Sequence, residues 1–387
     1  MITRDIIREI ADFQSPEGDC ITFYYQPDTP ADKSHRRETL QIKDLVKEAM
    51  KRAERSGKNG SVRSDLERIL DLAERLHGNS GRAKAIFACA SKGFWREEDI
   101  PARLQGSKVL INKHFHVSPL AALQEIMEET CVCLLDRSKA RFFEMQMGEV
   151  AEKESWIDEL PRRGRSDGFA GFDAGHAERK VDNEAQNHFK RVADRLLDRY
   201  GTGSCERIVI GGRDEAWTGI ERHLHPYVKQ RVIGHFVIDP ATASVDDVRQ
   251  HTQRLLKEHH EKQRQELLRT ILDEARANNH GALGLKRVLR SLEQGEIQSL
   301  IIGDGFSAEG VECTNCGHLD MRLVENCAVC GQKTKEISDV SDALVGRAMR
   351  AGIDIVHMPA HPELQKAGNI GALLRFRAER SVGEKLA

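Results

Sequence analysis

No apolar run in this chain approaches the roughly 20 residues that span a bilayer. The first residues, Met1 to Phe13, alternate acids and bases instead of building an apolar signal core. Membrane insertion and secretion are therefore not expected. The chain also lacks a charge excess: 59 Lys and Arg stand against 61 Asp and Glu, for a net charge of −2. Bulk charge thus provides no attraction for nucleic acid, and any RNA contact must come from local clusters. Catalytic motifs are equally scarce. There is no Gly-x-Ser-x-Gly elbow, no Walker phosphate loop and no His-Glu-x-x-His helix. Gly211-Gly212 and Gly303-Asp-Gly305 each follow a strand-like run, yet neither continues into the spaced pattern that opens a nucleotide-binding helix. Both read as turns at strand ends. Internal repeats and low-complexity tracts are missing too.

What is present points to an α/β chain of several domains. At 387 residues it is long for one core, and 39% hydrophobic with 31% charged residues suits surface helices over buried sheets. A first domain, 1–128, reads as helix 1–14, strand Cys20–Tyr25, helices 34–56 and 62–78, strands Ala83–Cys89 and Ser107–Asn112, and a helix from Pro119 to Glu129. A central domain, 129–243, opens with strands Cys131–Asp136 and Lys139–Met147. It continues through a polar stretch, 151–175, read as loop, into a helix from His176 to Arg199, then strands Cys205–Ile210 and Arg231–Ile238. The last unit, 244–387, begins with a long charged bridging helix, 244–278. Helix 285–294, strand Ser299–Ile302, a cysteine module at 311–335, helix 339–351 and strand Asp354–His357 follow.

The cysteine module is the sharpest local signal. Cys313 and Cys316 form one pair, Cys327 and Cys330 another, with ten residues between the pairs. Each pair forms a turn in which two thiolates converge, and two turns complete the tetrahedral all-sulfur site that Zn²⁺ prefers. Gly317 and Gly331 follow the pairs and supply the positive φ that such a knuckle needs. The expectation is one structural Zn²⁺ per chain, with no open coordination position for chemistry. The other cysteines, Cys20, Cys89, Cys131, Cys133 and Cys205, look scattered, which suggests a reducing cytoplasm and no disulfide framework.

The stretch 161–176 is the candidate contact surface. Arg162, Arg163 and Arg165 precede a glycine-rich tip that runs into a helix start carrying His176, Arg179 and Lys180. Backbone amides at a helix start together with arginines suit phosphate, and a solvated loop stays open as the other reading. Arg36, Arg37, Lys43, Lys47, Lys51 and Arg52 are interleaved with Glu38, Asp44 and Glu48, so that helix face is expected to be solvated. His259 and His260, within the charged helix, are expected to face water.

Gly284-Leu-Lys-Arg-Val-Leu, Gly295-Glu-Ile-Gln-Ser-Leu-Ile-Ile, the two cysteine pairs, Ala351-Gly-Ile-Asp-Ile-Val and the closing Gly368-Asn-Ile-Gly-Ala-Leu-Leu-Arg-Phe resemble the C-terminal domain of archaeal and eukaryotic class-1 peptide chain release factors and of Pelota. The order of domains fits as well, strongly after about 280, moderately over 130–240 and weakly before. Phe-Ala-Cys-Ala and Leu-Leu-Asp-Arg-Ser-Lys-Ala-Arg look like the bacterial branch of this superfamily, which includes ribosome hibernation factors. The resemblance implies three α/β domains, the last L30e-like with an inserted zinc knuckle module. It implies as partners the ribosome, with rRNA near the decoding and peptidyl-transferase centres, and a translational GTPase such as elongation factor Tu. A monomer is expected.

Departures from the family pattern shape the functional expectation. In release factors the loop before the long central helix carries Gly-Gly-Gln, which places water at the peptidyl-tRNA ester. Here the matching segment reads Gly171-Phe-Asp-Ala-Gly175-His176, without glutamine, and the Asn-Ile-Lys-Ser codon-reading motif is missing from 1–128. The leading expectation is a non-catalytic factor in the ribosomal A site that protects or rescues idle or stalled ribosomes. Arg162, Arg163, Arg165, His176, Arg179 and Lys180 would contact RNA. Two other readings compete: peptidyl-tRNA hydrolysis with His176 or Asp173 in place of glutamine, and a zinc-stabilised adaptor with no ribosomal role.

Overall fold

The computed structural model describes residues 4–27, 36–55, 60–76, 82–102, 104, 106–158, 171–201, 205–337 and 339–377. Among the described residues the chain is mixed α/β with four sheets. It forms two compact units, one of Met1–Gln124 with Gln263–Ala387, the other of Glu125–Lys262.

The first unit opens with helix α1 (Arg4–Asp12), strand β1 (Cys20–Tyr25), helices α2 (Arg36–Arg55) and α3 (Ser61–Leu72), and strands β2 (Ala83–Cys89), β3 (Phe94–Ile100) and β4 (Lys108–Asn112). The strands form an antiparallel sheet in the order β3-β2-β1-β4. Ile42 and Val46 of α2 and Leu66 and Ile69 of α3 cover Ile21 and Phe23, the apolar stripe that their helical spacing produces. Strand β3 escaped the sequence reading because four of its seven residues are charged. It is an edge strand, and Lys84 on β2 lies 3.8 Å from Glu97 and 3.3 Å from Asp99 across the ladder. Glu38 also departs from the solvated face expected of α2: it is buried and accepts a 3.0 Å hydrogen bond from the Tyr25 hydroxyl. The helix expected from Pro119 to Glu129 is two short ones, α4 (Ser118–Ala121) and α5 (Gln124–Met127), separated by a tight turn in which Leu123 N donates to Leu120 O.

The second unit holds β5 (Thr130–Leu135), β6 (Lys139–Gln146), β7 (Glu149–Ile157), α6 (Gly171–Tyr200), β8 (Arg207–Gly211), α7 (Asp214–Glu221), α8 (Pro226–Lys229), β9 (Val232–Phe236) and the first turns of α9 (Val245–Arg276). The sheet order is β7-β6-β5-β8-β9, antiparallel up to β5 and parallel beyond it. Every residue of β5 is buried, as its unbroken apolar run predicts. Cys131, Cys133 and Leu135 join the core under α6, α7 and α8, whereas Val132 and Leu134 join the core that holds Phe236 and Val248. Two expectations change here. The polar stretch from 151 is strand β7 as far as Ile157, and α6 starts at Gly171, so the segment Gly171–His176 is helical and not loop. Strand β7 was hidden because its outward residues are Glu and Lys on an exposed edge, with only Val150 and Trp156 packed inward.

His260 also departs from expectation. Val248, Thr252, Leu256 and His260 recur every four residues on the buried stripe of α9. His260 Nε2 lies 3.1 Å from the buried Glu128 carboxylate, and Glu125 is 3.6 Å from its Nδ1. The start of α9 is set by a capping box: Asp247 N donates to Ser244 Oγ, and Ser244 N donates back to Asp247 Oδ2.

After α9 the first unit resumes with β10 (Gly281–Leu283), α10 (Leu285–Glu293), β11 (Ile297–Gly303), β12 (Gly310–Cys313), β13 (Leu319–Asp320), β14 (Thr334–Ile337), α11 (Val340–Arg350), β15 (Asp354–Met358), α12 (Pro362–Lys366) and β16 (Ile370–Leu374). One sheet runs β10-β16-β11-β15. A small separate sheet, β13-β12-β14, carries the cysteines and sits in the chain between β11 and α11, where the sequence reading places its module. Among the described residues no helix is long and apolar enough to cross a membrane.

The junction of β7 and α6 generates a stability prediction. Asp158 accepts from Nδ1 of the fully buried His188 and pairs with Arg191 at 2.8 Å. Burial alone would raise the Asp158 carboxyl, but His188 and Arg191 outweigh it and hold it below its ordinary value. Its stabilising contribution is thus present above the ordinary carboxylate pKa of about 3.9 and is lost as pH falls through the lower folded value. Asp158→Ala strands a buried imidazole nitrogen and should cost about 1–3 kcal/mol. Arg195→Ala, which removes a half-exposed partner of Glu154, should cost less than about 1 kcal/mol. Urea unfolding of the full chain at neutral pH compares them, and equal losses would show that the dyad contributes no more than a surface pair.

Candidate functional site

Two turns of the same build present the four thiols. In the first, Cys313 N donates to His318 O at 2.9 Å and Gly317 N to Cys313 O at 3.1 Å. In the second, Cys327 N donates to Gln332 O at 2.8 Å and Gly331 N to Cys327 O at 2.9 Å. The spacing is identical, so each turn points its two sulfurs the same way. Gly317 and Gly331 have φ of 71° and 72°, the left-handed conformation expected of them. Backbone amides also point at sulfur: Asn315 N and Cys316 N lie 3.4 Å from Cys313 Sγ, and Val329 N lies 3.4 Å from Cys327 Sγ.

The four sulfurs of Cys313, Cys316, Cys327 and Cys330 all lie within 4.8 Å of one another, with Cys313–Cys330 at 3.4 Å and Cys316–Cys327 at 3.6 Å. Tetrahedral zinc thiolate, with Zn–S near 2.3 Å, needs sulfur pairs about 3.8 Å apart, so the cluster fits such an ion with small adjustments. Acidity fits too. Burial would raise the Cys313 thiol, but the amides of Cys316 and Asn315 and the neighbouring thiols hold it down at about 6. The Gln332 amide leads in lowering Cys330. Burial and the three neighbouring thiols push Cys316 up to about 12. A cation that recruits all four must therefore displace protons, as thiolate metals do.

The knuckles are anchored on both sides. Arg347 of α11 donates to Gly317 O at 3.0 Å, and Lys113, just past β4, donates to Thr314 O at 2.6 Å. Thr314 in turn donates to Lys333 O through both its amide and its hydroxyl, which ties one knuckle to the strand behind the other.

The second predicted surface is only partly described. Arg162, Arg163 and Arg165 lie outside the described residues, and so does the side chain of His176, whose backbone is in α6. Arg179 and Lys180 are exposed on that helix. Farther along α6 the cations have local partners. Arg191 meets Asp158, Arg195 meets Glu154, and Arg199 meets Glu154 and Glu144, each at 2.8–3.1 Å. This ladder fastens α6 to β7 and β6 on either side of 159–170. Asp158 and His188, which secure the end nearest that segment, escaped the sequence reading. They are 30 residues apart, and no spacing rule connects them.

Residues 116–275 match the family model described as bacterial archaeo-eukaryotic release factor family 10. Among curated proteins there is no match. Solved structures similar to this chain include the archaeal translation termination factor aRF1, at 14% identity, covering 97% of this chain and 99% of that one, with a TM-score of 0.27. Archaeoglobus fulgidus Pelota is 13% identical over 97% and 93% of the two chains, with a TM-score of 0.35. Dom34 of S. cerevisiae, described as a translation termination-like factor, is 11% identical over 76% and 80%, with a TM-score of 0.40. The family match is confined to 116–275, the segment that takes in β5 to β9 and nearly all of α9, and over that segment the chain is similar to bacterial archaeo-eukaryotic release factors.

Proposed function

We propose that this release-factor-like chain occupies the ribosomal A site in the cytoplasm and protects idle or stalled ribosomes without hydrolysing peptidyl-tRNA. The observation that carries the reading is the segment entering α6. It lies inside the family match, carries Arg162, Arg163 and Arg165, and contains no glutamine from Pro161 to His176. Its guanidinium groups suit rRNA phosphates, while the side-chain amide that places the attacking water in release factors has no counterpart. His176, Arg179 and Lys180 extend the cationic contact onto the helix. The codon-reading motif is missing from the N-terminal part, which favours a role independent of the stop codon. The four-thiolate cluster holds a structural Zn²⁺ that stiffens the β12–β14 module, a surface for a translational GTPase such as elongation factor Tu.

Cosedimentation with ribosomes at several salt concentrations tests binding. Binding at low salt should weaken as salt rises. Replacing Arg162, Arg163 and Arg165 with alanine should flatten the slope of log Kobs against log salt by about 2, on the order of 0.7 per phosphate contact. An absence of ribosome-bound chain at low salt would overturn the ribosomal role. Release of labelled peptide from peptidyl-tRNA on ribosomes with an empty A site would overturn the non-catalytic reading. His176→Ala and Asp173→Ala would then show whether either residue replaces glutamine.

For the metal, native mass spectrometry should show that Cys313→Ser removes one equivalent of zinc. Loss of that zinc should unfold the module around β12–β14 and leave residues 1–280 folded, because a structural zinc contributes folding energy locally. Hydrogen exchange of the chelated chain would read this out, and protection retained at 311–335 would contradict it.

A further inference from the structure

Two of the cysteines that look scattered in the sequence are neighbours in the fold. Cys20 opens β1 and Cys89 closes β2, one step beyond the antiparallel pair Ile21–Ala88, so the two stand opposite each other. Asp19 precedes Cys20 and is delivered by a turn in which Gly18 has φ of 70° and its amide donates to Ser15 O. A sulfur of Cys20, a sulfur of Cys89 and a carboxylate oxygen of Asp19 all lie within 4.8 Å of one another. Cys89 Sγ is 3.4 Å from Asp19 Oδ1, close to the S···O edge of about 3.5 Å in tetrahedral zinc. All three residues are buried, with relative exposures of 4%, 0% and 0% for Asp19, Cys20 and Cys89.

The surroundings add two hydroxyls and a second carboxylate. Ser91 Oγ is 3.3 Å from Cys89 Sγ. Ser15, whose amide donates to the same Lys113 carbonyl that accepts from Cys20 Sγ at 3.3 Å, has a fully buried hydroxyl with no hydrogen-bond partner. Such an orphan is uncommon in a folded core and marks a place where a further group belongs. Asp65 is buried close enough to feel the Asp19 charge, which deepens the negative potential here. Among the described residues, the buried thiols of the other unit, Cys131, Cys133 and Cys205, do not converge with a carboxylate in this way.

We propose that Asp19, Cys20 and Cys89 form a second metal site that takes a zinc-class divalent cation. The ligand set is two thiolates and one carboxylate, with a serine hydroxyl or water at the fourth position. Binding breaks two S–H bonds and forms two metal–sulfur bonds and one metal–oxygen bond. Two protons leave to solvent, and the metal with its three anionic ligands carries a net charge of −1. Nothing is oxidised or reduced. Because its ligands are dry, the ion would be captured during folding, and it would clamp the 13–19 loop to the ends of β1 and β2.

The test is zinc stoichiometry on the full chain, purified without chelator from zinc-supplemented cells. The expected count is two per chain for the wild type, one for Asp19→Asn, one for Cys313→Ser/Cys316→Ser and none for all three substitutions together. A wild-type count of one that Asp19→Asn leaves unchanged overturns the second site. So does a Cys20–Cys89 disulfide in the metal-free chain together with that count. Should Asp19→Asn misfold, X-ray absorption on Cys313→Ser/Cys316→Ser decides. Its remaining zinc should show two sulfurs near 2.3 Å and oxygens near 2.0–2.2 Å, and a sulfur-only shell, or no zinc, overturns the proposal. The four-cysteine reading fails separately, if Cys313→Ser/Cys316→Ser leaves the wild-type count unchanged.

Discussion

Burial of β5 on both faces forces the central sheet to be covered twice, by α6, α7 and α8 on one side and by the first turns of α9 on the other. A strand with six consecutive buried residues has no tolerance for solvent, so the two helical layers are obligatory. The placement of β7 and α6 follows from that constraint. The chain leaves the sheet at β7, an edge strand, and must return as α6 over the core that β5 defines. The carboxylates of β7 and β6 meet the arginines of α6, and Asp158 holds His188 and Arg191 at the open end.

This arrangement divides the charge of α6 into two parts. Arg191, Arg195 and Arg199 are committed to Asp158, Glu154 and Glu144, and they contribute to the unit's cohesion. At the other end of the helix, Arg179 and Lys180 are exposed. The knuckles of β12–β14 repeat one hydrogen-bonding pattern twice, which brings their four sulfurs together.

Legibility in the sequence followed the range over which each feature is determined. The knuckles could be read to the residue because their ligands, glycines and turns lie within twenty positions, 313–332. Strands β1, β2, β5 and β8 were visible as apolar runs, and α9 as an unbroken charged periodicity. The edge strands β3 and β7 were not, since a charged outward face removes the alternation that identifies a strand. Gly171 and Gly175 made the start of α6 look like loop, because glycine is unfavourable in a helix interior. The three-residue cluster of Asp19, Cys20 and Cys89 could not be foreseen, since nothing local signals that positions 20 and 89 face each other. His260 and Glu38 failed for the same reason: their partners are supplied by tertiary packing.

The edge strand β7 has one more consequence. Among the described residues its outer ladder has no strand beside it, which would normally invite a strand from another molecule, yet Glu149, Glu152, Lys153 and Glu154 line it, and two of the acids are already occupied by arginines from α6 and β6. An incoming strand would have to bury those ion pairs or break them. The contacts that seat α6 therefore also work against self-association.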